Sequence, residues 1–414
     1  MYSKKVFLFA GILIFNASVL SAAPALPQIN IQNLRSKAMG GVRLAIVDDQ
    51  YAMMNNPAAP AVLRYTAGET NSWRNCFVSL IQAQCIISEG SLLFWYHQDS
   101  VFEAVANVFD FDFDTGLSID DATWSRLASI RFSAGTTPFF LTLQNVLPLH
   151  LSLAFFDSLN MRIKSNPTLP LPTWDILAYN DMAVVLNFAY TIQEIWLGTP
   201  KESGNVLEIS FGANAKVIRR TQFGKEGAGI TCLAAMTDAD VRRGLAFGMD
   251  LGVAAAFYFD VDVYAWATQR RPKPDLTLSL ACTDFFRTRF SWAGTSDSFG
   301  DAAIEPSLAF GVAWRLGAIV PSVLDDFTLA VDMRDIFSDT MPALLKLYAG
   351  FEFSVIDVFK IRCGIYQGYV SGGLGIDIPV LPVEIDFAYW AEELGKRPGQ
   401  ERADNFGAAL NLVF

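Results

Sequence analysis

From about residue 75 to the last residue, apolar and polar side chains alternate one by one over long runs. In a strand, residues i, i+2 and i+4 share a face, so each run divides into two surfaces. Leu347, Ala349, Phe351 and Phe353 oppose Lys346, Tyr348, Gly350 and Glu352. Phe359, Ile361, Cys363 and Ile365 oppose Lys360, Arg362, Gly364 and Tyr366, and Val383, Ile385, Phe387 and Tyr389 oppose Glu384, Asp386 and Ala388. Upstream, Leu207, Ile209, Phe211, Ala213 and Ala215 oppose Glu208, Ser210, Gly212, Asn214 and Lys216. Phe327, Leu329, Val331 and Met333 likewise oppose Thr328, Ala330, Asp332 and Arg334. Each run is roughly 9–13 residues long, where a soluble strand has about 5–6 and a tilted membrane-crossing strand about 9–11. An apolar face paired with a small, polar one at that length predicts an all-β, transmembrane outer-membrane β-barrel. The runs number about 14 to 16, and the usual even count of such barrels favours 14.

Composition supports this. Hydrophobic residues make up 52% of the 414 residues and charged ones 18%, against about 25% charged in soluble domains. Mean hydropathy is +0.29. A spanning helix needs about 18–20 apolar residues in a row. Val6–Ala25 is interrupted by Asn16 and Ser18, and Leu245–Phe259 contains Asp250. Hydrocarbon leaves only helices or closed barrels to satisfy the backbone, so the barrel remains.

The N-terminus reads as a secretory signal: Lys4 and Lys5, an apolar core over Val6–Leu20, then small residues with cleavage near Ala23. The expected organisation is a signal peptide over 1–23, a segment without long alternation over 24–72 and a barrel over 73–414, in the outer membrane of a diderm bacterium. The net charge of −11 and the absence of any Lys/Arg cluster longer than a pair set nucleic acid aside. Five cysteines and two histidines, His97 and His150, without a CxxC spacing, argue against a metal site. Cys282 and Cys363 read as small hydrophobes, while a Cys76–Cys85 bridge stays open. Between strands, helical turns are expected over Asp120–Ile130. Loops are expected over Met161–Asp181, Phe223–Gly244, Thr283–Ala303 and Glu392–Asp404.

Two stretches carry a family resemblance. Ser36-Lys37-Ala38-Met39-Gly40-Gly41, the acidic pair Asp48-Asp49, and Asn56-Pro57-Ala58 resemble the N-terminal hatch of the FadL-type long-chain fatty-acid transporters. Phe359–Tyr369, Gly372–Ile376 and Phe387–Gly395 resemble an uncharacterised spirochaete (Treponema-type) branch of that superfamily, with Val370 where relatives usually have Pro. The closing run Phe406, Ala408, Leu410, Leu412, Phe414 resembles the C-terminal signature read by the barrel assembly machinery. The resemblance implies a barrel of about 14 strands with residues 24–72 as an N-terminal plug or hatch in its lumen. Physically, Gly40-Gly41 allows φ > 0 or close backbone approach, and Asn56-Pro57 initiates a turn. A strand-to-turn connection without a gating role is the plainer alternative.

No GxSxG, HExxH or Walker A stretch is present, so no enzyme and no cofactor is expected. The leading expectation is an outer-membrane transporter of long-chain fatty acids or other hydrophobic small molecules, with outer-membrane lipid as its surroundings. The alternatives are a binding or assembly partner of secreted proteins, or a surface antigen or adhesin. A carboxylate-bearing ligand would need lumen cations. Arg131, Lys216, Arg315, Lys346, Lys360 and Arg362 fall on polar faces. Lys216 and Arg362 are expected to face the ligand, the alternative for each being a lumen ion pair with Glu352, Glu384 or Asp386.

Overall fold

The structure is a computed structural model. It describes residues 33–47, 51–62, 76–88, 129–146, 149–166, 173–198, 203–228, 241–263, 273–293, 303–317, 324–338, 341–356, 358–378, 383–393, 398–399 and 402–413. Three short helices come first: α1 (Leu34–Ala38), α2 (Ala52–Asn55) and α3 (Ala59–Val62). The strands follow: β1 (Cys76–Ser88), β2 (Ser129–Val146), β3 (Leu149–Asn166), β4 (Thr173–Leu197), β5 (Ser203–Ala228), β6 (Val241–Asp262), β7 (Leu276–Thr283), β8 (Thr288–Ala293), β9 (Ala303–Ile304) and β10 (Ser307–Gly317). The remaining six are β11 (Leu324–Met333), β12 (Leu347–Val355), β13 (Phe359–Tyr366), β14 (Tyr369–Ile378), β15 (Val383–Glu393) and β16 (Arg402–Val413). No helix among the described residues is long and apolar enough to cross a membrane.

The strands form one antiparallel sheet that closes on itself. Neighbours pair in chain order, β16 returns to β1 (Ala83 opposite Leu410, Ile87 opposite Phe406), and β5 meets β6. Because β8 continues β7 alongside β6, and β9 precedes β10 on the next stave, the wall is a closed barrel of 14 staves. Closure removes every free edge, the condition a sheet must meet in hydrocarbon.

The alternation resolves as inside and outside. On β5, Glu208, Ser210, Asn214 and Lys216 are buried. Leu207, Ile209, Phe211, Ala213, Ala215 and Val217 occupy the outward positions. This apolar belt gives way to Arg219 and Thr221, and its length fits the ~9–11 residues of a bilayer crossing. On β12, Tyr348, Glu352 and Ser354 are buried while Leu347 is exposed. A soluble barrel would show the opposite arrangement.

Several expected loops are strand instead. β3 and β4 extend through Met161–Asn166 and Thr173–Asp181, and β5 runs on to Ala228, with β6 beginning at Val241. β4, β5 and β6 contain 25, 26 and 22 residues, well beyond the expected run lengths. Glycines and charges near residues 224–227 mimic a turn in sequence, yet Phe223–Ala228 pairs continuously with Thr173–Ala178. Within the expected loop 283–303, β8 rejoins the wall after a kink at Asp284 and Arg287, both at positive φ (53° and 58°). From Leu251↔Cys282 to Ala246↔Phe290, β6 advances five residues and its partner eight. The surplus residues form a wide bulge. The loop expected over Glu392–Asp404 is shorter, since β16 starts at Arg402. The turns expected over Asp120–Ile130 lie outside the described residues, except that residues 129 and 130 open β2.

Cys85 is a free thiol, which settles the Cys76–Cys85 question. The two cysteines lie nine residues apart on β1, roughly 30 Å along a strand, whereas a disulfide needs Cα atoms within about 7 Å. We expect the purified chain to show heat-modifiable gel migration and a β-dominated circular dichroism spectrum in detergent. Unchanged mobility after boiling together with helical ellipticity would contradict the closed barrel.

Candidate functional site: the seat of the N-terminal segment

The described part of the N-terminal segment packs against inward-facing wall residues from several sides. Asn33 caps α1, its Oδ1 accepting from the Ser36 amide at 3.1 Å. The helix stops after five residues because Gly40 and Gly41 take φ values of 70° and 84°, in the left-handed region that glycine enters freely. The chain then meets the wall backbone-on-backbone. Gly350 on β12 and Gly364 on β13 are register partners. A Cβ on Gly350 would overlap the Met39 carbonyl, and one on Gly364 would overlap the Gly40 amide. Ser371 completes this seat, accepting from the Gly40 amide at 2.9 Å and donating to the Ala38 carbonyl at 3.1 Å.

A second seat is built in the same way on β5 and β6. Gly212 and Gly252 are register partners. Side chains there would overlap the Pro57 carbonyl and the Asn56 amide oxygen respectively. Asn56 is fully buried. Its Oδ1 accepts from the Ala58 amide at 3.0 Å, and its Nδ2 donates to the Val253 carbonyl at 3.2 Å. Pro57 lacks an N–H to strand, and its carbonyl accepts from Asn187 Nδ2 at 2.9 Å. Asn214 reaches the Met53 carbonyl at 2.9 Å. The motif Asn56-Pro57-Ala58 thus forms an Asx-type turn whose polar groups are satisfied partly within the segment and partly by Val253 and Asn187 of the wall.

Between the two seats, Asp332 on β11 accepts from the amides of Arg43 (2.7 Å) and Leu44 (2.9 Å) with one carboxylate oxygen. Near α1, charge does the same work. Arg35 binds Glu352 through two nitrogens at 2.6 and 3.0 Å. Lys37 donates to Glu392 at 2.9 Å and to the Tyr366 hydroxyl at 2.8 Å, with its ammonium 4.5 Å from the Tyr366 ring centre. Burial alone would lower the Lys37 pKa, but Glu392 and Tyr366 outweigh it and hold the value above the ordinary one.

The two tentative ligand cations are both buried and ion-paired. Lys216 lies 2.7 Å from Asp250 and 2.9 Å from Asp284, against the β7–β8 kink. Arg362 binds Glu352 through Nε at 2.5 Å and Asp386 through Nη1. Glu352 therefore joins the wall arginine to the segment's Arg35. Lys360 pairs with Glu384 at 2.9 Å, Arg315 pairs with Asp326, and Lys346 donates to the Ser338 carbonyl at 2.6 Å. His150 is buried on the inward face of β3. Asp48, Asp49 and His97 lie outside the described residues, as does the Arg131 side chain. A cavity of about 130 Å³ opens between α1 and the wall, lined by Arg35, Tyr51, Lys273, Glu352, Lys360, Glu384 and Asp386 among others. It is charged, and smaller than the roughly 300 Å³ at which drug-sized ligand pockets begin.

Fold and site together define a membrane-type β-barrel whose N-terminal segment is held inside. No protein family and no curated protein matches the sequence. Among solved structures, the chain is similar to a TodX deltaS2S3 mutant, a monoaromatic hydrocarbon channel, at 11% identity and a TM-score of 0.47, covering 92% of this chain and 98% of that one. The Pseudomonas putida toluene transporter TodX gives 12% identity, 95% and 98% coverage and a TM-score of 0.42. The translocator domain of the autotransporter NalP from Neisseria meningitidis gives 9%, 84% and 90%, and 0.32. At these values the barrel assignment rests on the strand pairing itself.

Arg362→Ala should destabilise the chain by about 3–5 kcal/mol in detergent urea titrations, because it leaves Glu352 and Asp386 buried with too few partners. Gly212→Val and Gly364→Val should leave the barrel heat-modifiable but expose the segment. Trypsin cleavage at Arg35, Lys37 or Arg43 should speed up by on the order of tenfold, as the seated state loses population.

Proposed function

We propose that this chain is an outer-membrane conduit for hydrophobic small molecules, of the FadL type, closed by its N-terminal segment acting as a plug. One observation carries the reading: a closed barrel with residues 39–40 and 56–58 seated on paired wall glycines at two separate places. Long-chain fatty acids are the first cargo to test, on the strength of the motif resemblance. The 130 Å³ charged cavity between α1 and the wall is too small for such a molecule, and in this reading the plug shifts to let it pass. In this reading Lys216 and Arg362 act as fixed ion-pair posts rather than ligand anchors, since each is already held by two carboxylates. The 24–72 segment is the plug, and residues 1–23 the export signal.

The charged character of the cavity favours a second reading, in which the barrel binds or helps assemble a secreted partner. A transport assay separates the two. Proteoliposomes carrying the protein should take up a fluorescent long-chain fatty acid or a monoaromatic hydrocarbon several-fold faster than empty ones. In a cysteine-free background, Lys37→Cys with Glu392→Cys bridged by a short bis-maleimide should return uptake to the background rate. Uptake equal to that of empty vesicles for both cargo classes would overturn the conduit reading.

A further inference from the structure

The outward face of β5, β6 and β8 carries three exposed arginines, Arg219, Arg243 and Arg289. Register places them together. Arg219 is opposite Leu245, Arg243 is opposite Thr221, and Leu245 is opposite Ser291, two residues from Arg289. With strands about 4.8 Å apart and residues about 3.4 Å apart, the Arg219 Cα falls roughly 8 Å from that of Arg243 and roughly 12 Å from that of Arg289, and Arg243 and Arg289 are roughly 14 Å apart. Among the described residues, none of the three has a hydrogen-bond or ion-pair partner. Arg402, exposed at the same end on β16, is instead neutralised by Asp404 at 2.6 Å. Of the neighbouring carboxylates, Glu305, two residues from Arg289's register partner Ala303, pairs with Arg287 at 2.8 Å, and Asp157 shares the Met182 row with Arg219 one strand further on.

The position of the cluster gives it a meaning. Beside and below them lie Val217, Leu245, Phe247 and Phe286, among the most exposed apolar side chains of the wall, with Phe247 at 66%. Arg219 is level with Leu245 and Arg289 with Phe247, so the cluster borders the upper edge of the apolar belt, with Arg243 above it. The opposite end of β6 carries exposed Asp260 and Asp262, and that of the neighbouring β4 exposed Glu194, so the basic character belongs to one membrane boundary. That boundary is the end bearing the long Ser88–Ser129 connection, the outward side in barrels of this kind. Unpaired guanidiniums present forked donors that match phosphate oxygens. A basic group above an acyl-contacting surface matches a lipid with an anionic phosphorylated headgroup.

We propose that Arg219, Arg243 and Arg289 form a specific docking site for the phosphate headgroup of a membrane lipid, its acyl chains lying on Phe247 and Phe286. The proposal rests on the barrel spanning a membrane and is independent of the cargo.

Native mass spectrometry tests it, on detergent-purified protein incubated with phosphatidylglycerol or with phosphatidylcholine. Wild type should retain phosphatidylglycerol at least tenfold better than phosphatidylcholine. The R219Q/R243Q/R289Q variant should lose that preference, while R402Q keeps it. Excess inorganic phosphate should displace little of the lipid. Equal retention of both lipids by wild type, an unchanged preference in the triple variant, or complete displacement by inorganic phosphate would each overturn the site. If the triple variant loses heat-modifiable folding, the single variants R219Q and R243Q replace it, with a smaller loss of preference expected from each and no loss in either counting against the site. Failure of fatty-acid uptake with this preference intact would bear only on the conduit.

Discussion

The structure depends on one constraint: a backbone crossing hydrocarbon must pair every N–H and C=O with itself. Closure of the sheet satisfies it, and the rest follows. Once the wall is closed and every second residue meets lipid, the remaining half of the side chains must face inward. Those are Glu208, Asn214, Lys216, Asp250, Glu352, Arg362 and Asp386. Buried charges on this scale are stable only when each finds a counter-charge or a donor. The lumen accordingly contains matched sets, Lys216 with Asp250 and Asp284, and Arg362 with Glu352 and Asp386. Arg35 and Lys37 extend the same pairing to the N-terminal segment, so the charged wall and the segment inside it complete one another.

What distinguishes the two seats is that they rely on absence of side chains. Ion pairs tolerate small shifts in geometry; a carbonyl resting where a Cβ would be does not. The pairs Gly350/Gly364 and Gly212/Gly252 fix the segment in register with the wall. Asp332, Ser371 and Asn187 then satisfy the backbone groups exposed by turns too short to satisfy themselves. Most of these contacts are to main chain. They therefore constrain the path of the segment more than its side chains, while the ion pairs of Arg35 and Lys37 and the burial of Met39, Val42, Met53 and Val62 anchor it further.

How far all this was legible depends on range. Alternation is a local signal, and it correctly sorted Lys216, Arg362, Glu352 and Asp386 onto the inward face and put the strand count near 14. The partners were hidden because pairing is set by register over long separations: Lys216 meets Asp284, 68 residues away, and Arg35 meets Glu352, 317 away. Gly212 and Gly252 each looked like an ordinary small residue on a polar face; their meaning lies in being opposite one another. Local signals also misled. Asp284 and Arg287 break the alternation, so 283–303 reads as a loop, although the chain only bulges and rejoins the wall. Residues 223–228 look like a turn because, above the apolar belt, nothing requires an outward apolar side chain, and the strand continues without its usual signature.

That last point connects strand length to function. On β10–β16 the staves stop near the membrane boundary, whereas β4–β6 continue past it. Above the belt the inward face of this taller side holds Arg220, fully buried, clamped by Asp181 at 2.7 and 2.8 Å and close to the Tyr179 and Phe290 rings. A buried bidentate pair between aromatic rings is rigid, and it sits in the region where a flexible edge would otherwise fray. The kink at Asp284 lies just below it, with Lys216 bracing its inner side. The wall is thus braced by buried ion pairs around the interruption at Asp284.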